Sequence, residues 1–201
     1  MKTLTGLVLS GACITALAAP LTVQDGDIVF QTSRSAQSVA VQRATGSKYS
    51  HMGMVFMRGG KPYVLEAAGK VGYTPLATWT ARGVGGHIVV KRLRDADRVL
   101  TPAALKKLAQ QGQALVGRPY DLTFEWSDER IYCSELVWKV YQRALGVTIG
   151  EQQRIKDFKL DDPAVQQKMK ERYGDKVPMN EPVVSPVAMF DSPQLVTVAQ
   201  R

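Results

Sequence analysis

The chain has 201 residues, a formal charge of +8, two cysteines and two histidines. Its lysines and arginines are scattered rather than interleaved with aromatics, which argues against nucleic-acid binding. A basic surface of this kind suits solvent, or peripheral contact with an anionic envelope polymer or membrane.

Met1-Lys2 is a short positive start, Leu4 to Leu17 is mostly apolar, and Ala16-Leu17-Ala18 has the small-x-small pattern of a signal-peptidase site. The apolar run is shorter than the roughly 20 residues that span a bilayer. Residues 1–18 are therefore expected to be a cleaved signal peptide and the protein to be periplasmic. Cys13 does not suit a lipid anchor, because Leu9 stands one place too far ahead of it and the apolar run continues past it. Residues 19–201 fit one domain with a full core. That mature chain keeps a single thiol, Cys133, so no internal disulfide accounts for it.

Gly26 to Gln31 reads as a short strand, and Ser38 to Thr45 has helical spacing. His51 to Met57 and Pro62 to Ala67 are apolar runs joined by Arg58-Gly59-Gly60-Lys61, a hairpin signal. Gly72 to Leu76 reads as another short strand, Thr78 to Ala81 as helical, and His87 to Leu93 as a strand. Thr101-Pro102 caps a helix carrying Leu105, Leu108, Leu115 and Val116 on one stripe, ended by Gly117-Arg118-Pro119. Ser134 to Leu145 carries a second stripe, stopped by Gly146, and Pro163 to Tyr173 is a polar helix. The proline-rich tail from Pro178 is expected to be mostly extended or looped.

Cys133 thus stands at the mouth of a helix, where free backbone N–H groups and the positive end of the dipole favour a thiolate and an oxyanion. His51 opens an apolar strand, and Glu66 lies in the strand paired with it, within cross-hairpin reach. The three types match a nucleophile, a base and an orienting acid. Each also has an ordinary structural explanation: a small buried hydrophobe, a strand-end histidine, a solvated carboxylate. Glu135 suits a helix cap, and Asp121 and Asp128 precede the helix as pocket or loop residues. His87, in a glycine turn, is expected at the surface. No cluster has metal-ligand spacing and no glycine-rich loop has the form of a nucleotide cradle, so no metal and no cofactor are expected.

The motifs Gly26-Asp27-Ile28-Val29-Phe30-Gln31, Tyr49-Ser50-His51-Met52-Gly53-Met54, Val64-Leu65-Glu66-Ala67, Gly117-Arg118-Pro119-Tyr120-Asp121 and Tyr132-Cys133-Ser134-Glu135-Leu136-Val137 resemble, in that order, the YiiX/YaeF-type permuted papain-like cysteine amidases of the wider NlpC/P60 superfamily. The resemblance leans to the YiiX branch and spans nearly all of residues 19–201. It implies an α+β fold, circularly permuted and papain-like, with a small antiparallel sheet or barrel packed against helices. It maps the family's cysteine, histidine and acidic residue onto Cys133, His51 and Glu66. Tyr120 is a candidate oxyanion donor or substrate contact, or else a packed tyrosine bonded to a loop carbonyl. The function expected is a periplasmic cysteine hydrolase of an amide or ester in an envelope substrate, a murein-type peptide first. A lipid acyl hydrolase or acyltransferase of the lecithin:retinol acyltransferase-like type is the alternative. Met52, Met54, Trp79, Phe124 and Trp126 would then be core residues or the lining of an acyl groove. A non-catalytic module that binds envelope peptide or lipid is the third reading.

Overall fold

The computed structural model describes residues 21–201. The expected signal peptide and Cys13 lie outside the described residues. The elements run β1 (Ile28–Gln31), α1 (Ser38–Thr45), β2 (His51–Arg58), β3 (Lys61–Ala68), β4 (Lys70–Pro75), α2 (Leu76–Arg82), β5 (Val89–Leu93), α3 (Ala96–Val99), α4 (Pro102–Leu115), α5 (Cys133–Leu145), β6 (Gln153–Arg154), α6 (Pro163–Tyr173), β7 (Pro182–Val183), α7 (Pro186–Phe190) and β8 (Leu195–Gln200). Six strands form one sheet in the order β4-β3-β2-β1-β5-β8, and each neighbouring pair is antiparallel. The α+β expectation holds. The sheet is open, with β4 and β8 at its edges, rather than a closed barrel.

Strand side chains alternate between faces, and the two faces bury different things. Met52, Met54 and Phe56 of β2, with Leu65 of β3, belong to the main core together with Leu136, Val137, Val140 and Tyr141 of α5. Those α5 residues recur at helical spacing and make one apolar stripe. The helix stops at Gly146, whose φ of 69° is the left-handed conformation a glycine cap adopts without strain. On the opposite face Val29, Val55, Val64 and Val90 pack with Leu76 and Trp79 of α2 in a smaller core. His51 and Glu66 share the parity of Val55 and Val64, so they stand on this second face.

The tail is mostly extended or looped, as expected, with one helical exception. Pro186 opens a helix instead of preventing one, because proline lacks only an N–H that the first helical turn leaves unpaired anyway. Ser185 caps that helix, its Oγ accepting from Ala188 N at 3.1 Å. The chain then returns as β8 to pair with β5. His87 is half-buried in the turn before β5, not on the surface.

Register explains one glycine. Met54 pairs with Leu65, so the continued ladder sets Gly53 opposite Glu66, whose partner on the other side is Gly72. A Cβ at Gly53 would lie 2.4 Å from Val64 Cγ1 and 2.7 Å from the Leu65 carbonyl oxygen. Gly53→Ala is expected to cost about 1–3 kcal/mol in urea unfolding, whereas Gly72→Ala, with nothing within 4 Å of its Cβ, should cost less than about 1 kcal/mol. Equal effects at the two positions would overturn the steric account.

Candidate active site

The glycines flanking Glu66 give its carboxylate room to reach diagonally along both neighbouring strands. On one side Glu66 Oε2 and His51 Nε2 are 2.6 Å apart. On the other, Thr74 Oγ1 donates to Oε1 at 2.6 Å, and the Arg82 guanidinium at the end of α2 donates to the same oxygen. Burial would by itself raise the Glu66 pKa. The hydrogen bond and charge of His51, with Thr74 and Arg82 behind them, outweigh it and hold the carboxyl below its ordinary value. The Trp79 ring stacks beside the imidazole at a centroid distance of 5.9 Å, which fixes its plane.

Cys133 comes from the other layer. It is the first residue of α5 and 4% exposed. His51 is the first residue of β2, so its ring stands at the end of the sheet, where Cys133 is close enough to act on its titration. Burial would lower the His51 pKa. Hydrogen bonds and charge from Cys133 and Glu66 overcome that, and the pKa rises from 6.5 to about 9. The imidazolium therefore persists at neutral pH between two groups that carry or develop negative charge. The three residues singled out in the sequence are brought together in the order Cys133, His51, Glu66.

Helix α5 is held from beneath and from the side. Glu135 accepts from Tyr132 N at 3.2 Å and pairs with Lys139 at 2.7 Å. It is the cap expected, and its burial pushes its pKa up to about 7 against the pull of Lys139. Lys139 and Arg143 both reach Asp128, at 2.9 and 2.8 Å. Asp121 ties the preceding loop, accepting from Thr123 N at 2.8 Å. Ser134 Oγ donates to the Val184 carbonyl at 2.8 Å, and Val184 N donates to Tyr132 Oη at 3.1 Å. The tail is thereby docked against the start of α5.

Tyr120 stands where the loop before α5 turns inward. Its N–H donates to the Gly69 carbonyl at 2.8 Å, and Ile131 N donates to the Pro119 carbonyl at 3.0 Å. Its hydroxyl accepts from Gln37 Nε2 at 3.1 Å rather than bonding a loop carbonyl. Burial and the nearby Cys133 raise its pKa, so the phenol keeps its proton and remains a donor.

Two clefts meet at Gln37, Ser50 and Tyr120. The first contains Cys133 and is walled by apolar side chains of α1, α6 and the segment between α5 and α6, among them Val41, Ile155, Phe158, Val165 and Met169. Phe124 lies on this wall, with a positive φ of 53°. Of the other groove candidates, Met52 and Met54 are core, Trp79 flanks His51, and Trp126 packs edge-on against Trp138. The second cleft contains His51 and is the more polar of the two, with Gln31, Arg34 and Arg82. Gln31, Gln37, Thr74 and Arg82 carried no assignment from sequence. Strand pairing places Gln31 opposite His51, but one glutamine at the end of an apolar run does not announce it.

The sequence profile of the family described as permuted papain-like amidase enzyme, YaeF/YiiX, C92 family, matches residues 22–199. The chain belongs to this family. The uncharacterized protein YiiX of Escherichia coli strain K12 is 55% identical over 178 residues, which is 89% of this chain and 87% of that protein. A crystal structure described as the metalloprotein YiiX from Escherichia coli O157:H7 matches with a TM-score of 0.85 at 56% identity, covering 89% of this chain and 97% of that one. Membership makes the chain a cysteine hydrolase with the permuted papain-like fold, and it sets aside the non-catalytic reading.

The geometry sets a titration. His51 holds its proton more tightly folded than unfolded, so its contribution to stability is complete below about pH 6.5 and is lost as pH rises through about 9. In an NMR titration the His51 imidazole should show a midpoint near 9. Cys133→Ala and Glu66→Gln should each move that midpoint down, because each removes a group that raises it. An unmoved midpoint in both variants would sever the series.

Proposed function

We propose that this family member is an exported periplasmic enzyme that opens an amide or ester by acyl transfer to Cys133, with His51 as acid–base group and Glu66 as its positioning partner. The meeting of Cys133 with the hydrogen-bonded His51–Glu66 pair carries this reading. The Cys133 sulfur, its proton passed to His51, attacks the substrate carbonyl carbon, an S–C bond forms, and charge moves onto the carbonyl oxygen. The Cys133 backbone N–H, unpaired within the helix at this first position, and the Tyr120 hydroxyl receive that oxyanion. Collapse breaks the C–N or C–O bond, and the His51 imidazolium gives its proton to the departing amine or alkoxide. Water, deprotonated by His51, then attacks the thioester, releases the carboxylic acid and restores the thiol.

The apolar wall of the cleft at Cys133 favours a substrate whose acyl part is a hydrocarbon chain. This moves the lipid acyl hydrolase or acyltransferase reading ahead of the murein-type peptide. Export, the basic surface and the polar cleft at His51 keep the envelope peptide as the rival. The solved YiiX relative is described as a metalloprotein. Among the described residues of this chain no three His, Cys, Asp or Glu side chains are grouped to hold a metal ion. The steps above use side chains and backbone alone.

Mass spectrometry of the protein after separate incubation with p-nitrophenyl decanoate, phospholipid and murein peptides tests the assignment. An acyl adduct is expected on Cys133 with the decanoyl ester and phospholipid, and none in Cys133→Ala. Turnover should fall about a hundred- to ten-thousand-fold in His51→Ala and by less in Glu66→Gln. A peptidyl adduct with both lipid donors inert would reverse the substrate order. An unmodified Cys133 with every donor would overturn the mechanism.

A further inference from the structure

In acyl transfer the acyl group stays on the nucleophile while the leaving group departs on the side of the group that protonates it. Here the two sides are separate spaces. The apolar cleft contains Cys133 but not His51, and the polar cleft contains His51 but not Cys133. The polar cleft is therefore placed to receive the leaving group, an assignment that rests on the acyl-transfer reading above.

Gln31 packs at the back of that cleft. Gln31 is 1% exposed and stands opposite His51 across the β1–β2 pair. Its Oε1 is buried without a hydrogen-bond partner, and buried carboxamides are seldom left so. Room is kept for this side chain by Gly83. The backbone there is extended, with φ −70° and ψ 159°, so glycine is not required by conformation. A Cβ at Gly83 would instead lie 2.3 Å from Gln31 Oε1. The Gln31 Oε1 thus lies against the Gly83 backbone, with no accessible surface toward the cleft, and is a packing contact rather than a ligand contact.

The charge of the cleft is one-sided. Arg34 is exposed on its rim, with no ion pair to a carboxylate among the described residues. Arg82 binds Glu66 through one nitrogen, and its side chain remains 45% exposed. No Asp or Glu is among the described residues that line the cleft. Arg34 and the exposed edge of Arg82 form a donor-rich site for a carboxylate or phosphate oxygen.

We propose that the cleft beside His51 is a leaving-group subsite for a small anionic moiety, with Arg34 and Arg82 contributing charge and hydrogen bonds. The carboxylate of an amino acid and the phosphate of a lipid headgroup share the required chemistry.

Two matched pairs of decanoyl substrates test this and separate the sources: decanoylglycine against decanoylglycinamide, and decanoylglycerol phosphate against decanoylglycerol. Within each pair the acyl chain and the scissile bond type are the same. The anionic member of at least one pair should have the higher kcat/KM by about tenfold or more, and the pair that shows it identifies the anion. Arg34→Ala should bring that ratio toward one. Arg34 is exposed, so its variant is expected to fold as the parent does. Equal rates within both pairs, or a ratio unchanged in Arg34→Ala, would overturn the subsite. Failure of p-nitrophenyl decanoate to acylate Cys133 would instead overturn the acyl-transfer reading and the subsite with it. Acylation without anion preference removes the subsite alone.

Discussion

A buried carboxylate bonded to an imidazole is the interaction on which the rest of this site depends. Glu66 is 2% exposed, and an ionised carboxylate there is tolerable only if its oxygens are satisfied. His51, Thr74 and Arg82 satisfy them from three elements, β2, β4 and α2. That requirement sets the orientation of His51. With Nε2 committed to Glu66, the opposite edge of the ring is left for the thiol. It also constrains the backbone, since the diagonal reach of Glu66 needs a position without a side chain directly across the ladder, and Gly53 provides it.

The sheet brings groups from its two faces together at one end. Strand parity puts His51 and Glu66 with the smaller core under α2, while Cys133 arrives with α5 and the main core. A histidine deeper in β2 would be screened from α5 by the sheet itself. At the first position of the strand the ring clears the edge. The charged group under α5, in which Glu135, Lys139, Asp128 and Arg143 are linked in series, anchors the helix in register with that edge. The docked tail closes the other side through Tyr132, Ser134 and Val184.

Polarity is divided at the reacting centre. The wall of α1 and α6 presents hydrocarbon to the sulfur, and the opposite side presents amide and guanidinium to the imidazole. Tyr120 sits at the junction with its proton retained, facing the place where carbonyl charge develops in the proposed reaction. Such an arrangement separates the two halves of a substrate by solvation before any chemistry occurs.

The amino-acid sequence alone determined the elements whose signals are local. Glycine turns, apolar period and helix caps specify β2, β3, α4 and α5, and the motifs that resemble the family's single out His51, Glu66 and Cys133, in that chain order. Tertiary structure decided what depends on register and on the meeting of distant segments. Thr74 and Arg82 reach Glu66 only once β4 and α2 are placed. Gln31 becomes notable only when its carboxamide is found buried and unpaired against Gly83. The prolines of the tail read as breakers in isolation, yet Pro186 starts a helix because the first turn requires no N–H from it. The apolar cleft is assembled from α1, α6 and residues near 155 and 183 that no sequence period connects. Local patterns encode which residues form an element. The solvation of the space between elements is a property of side chains that become neighbours only on folding.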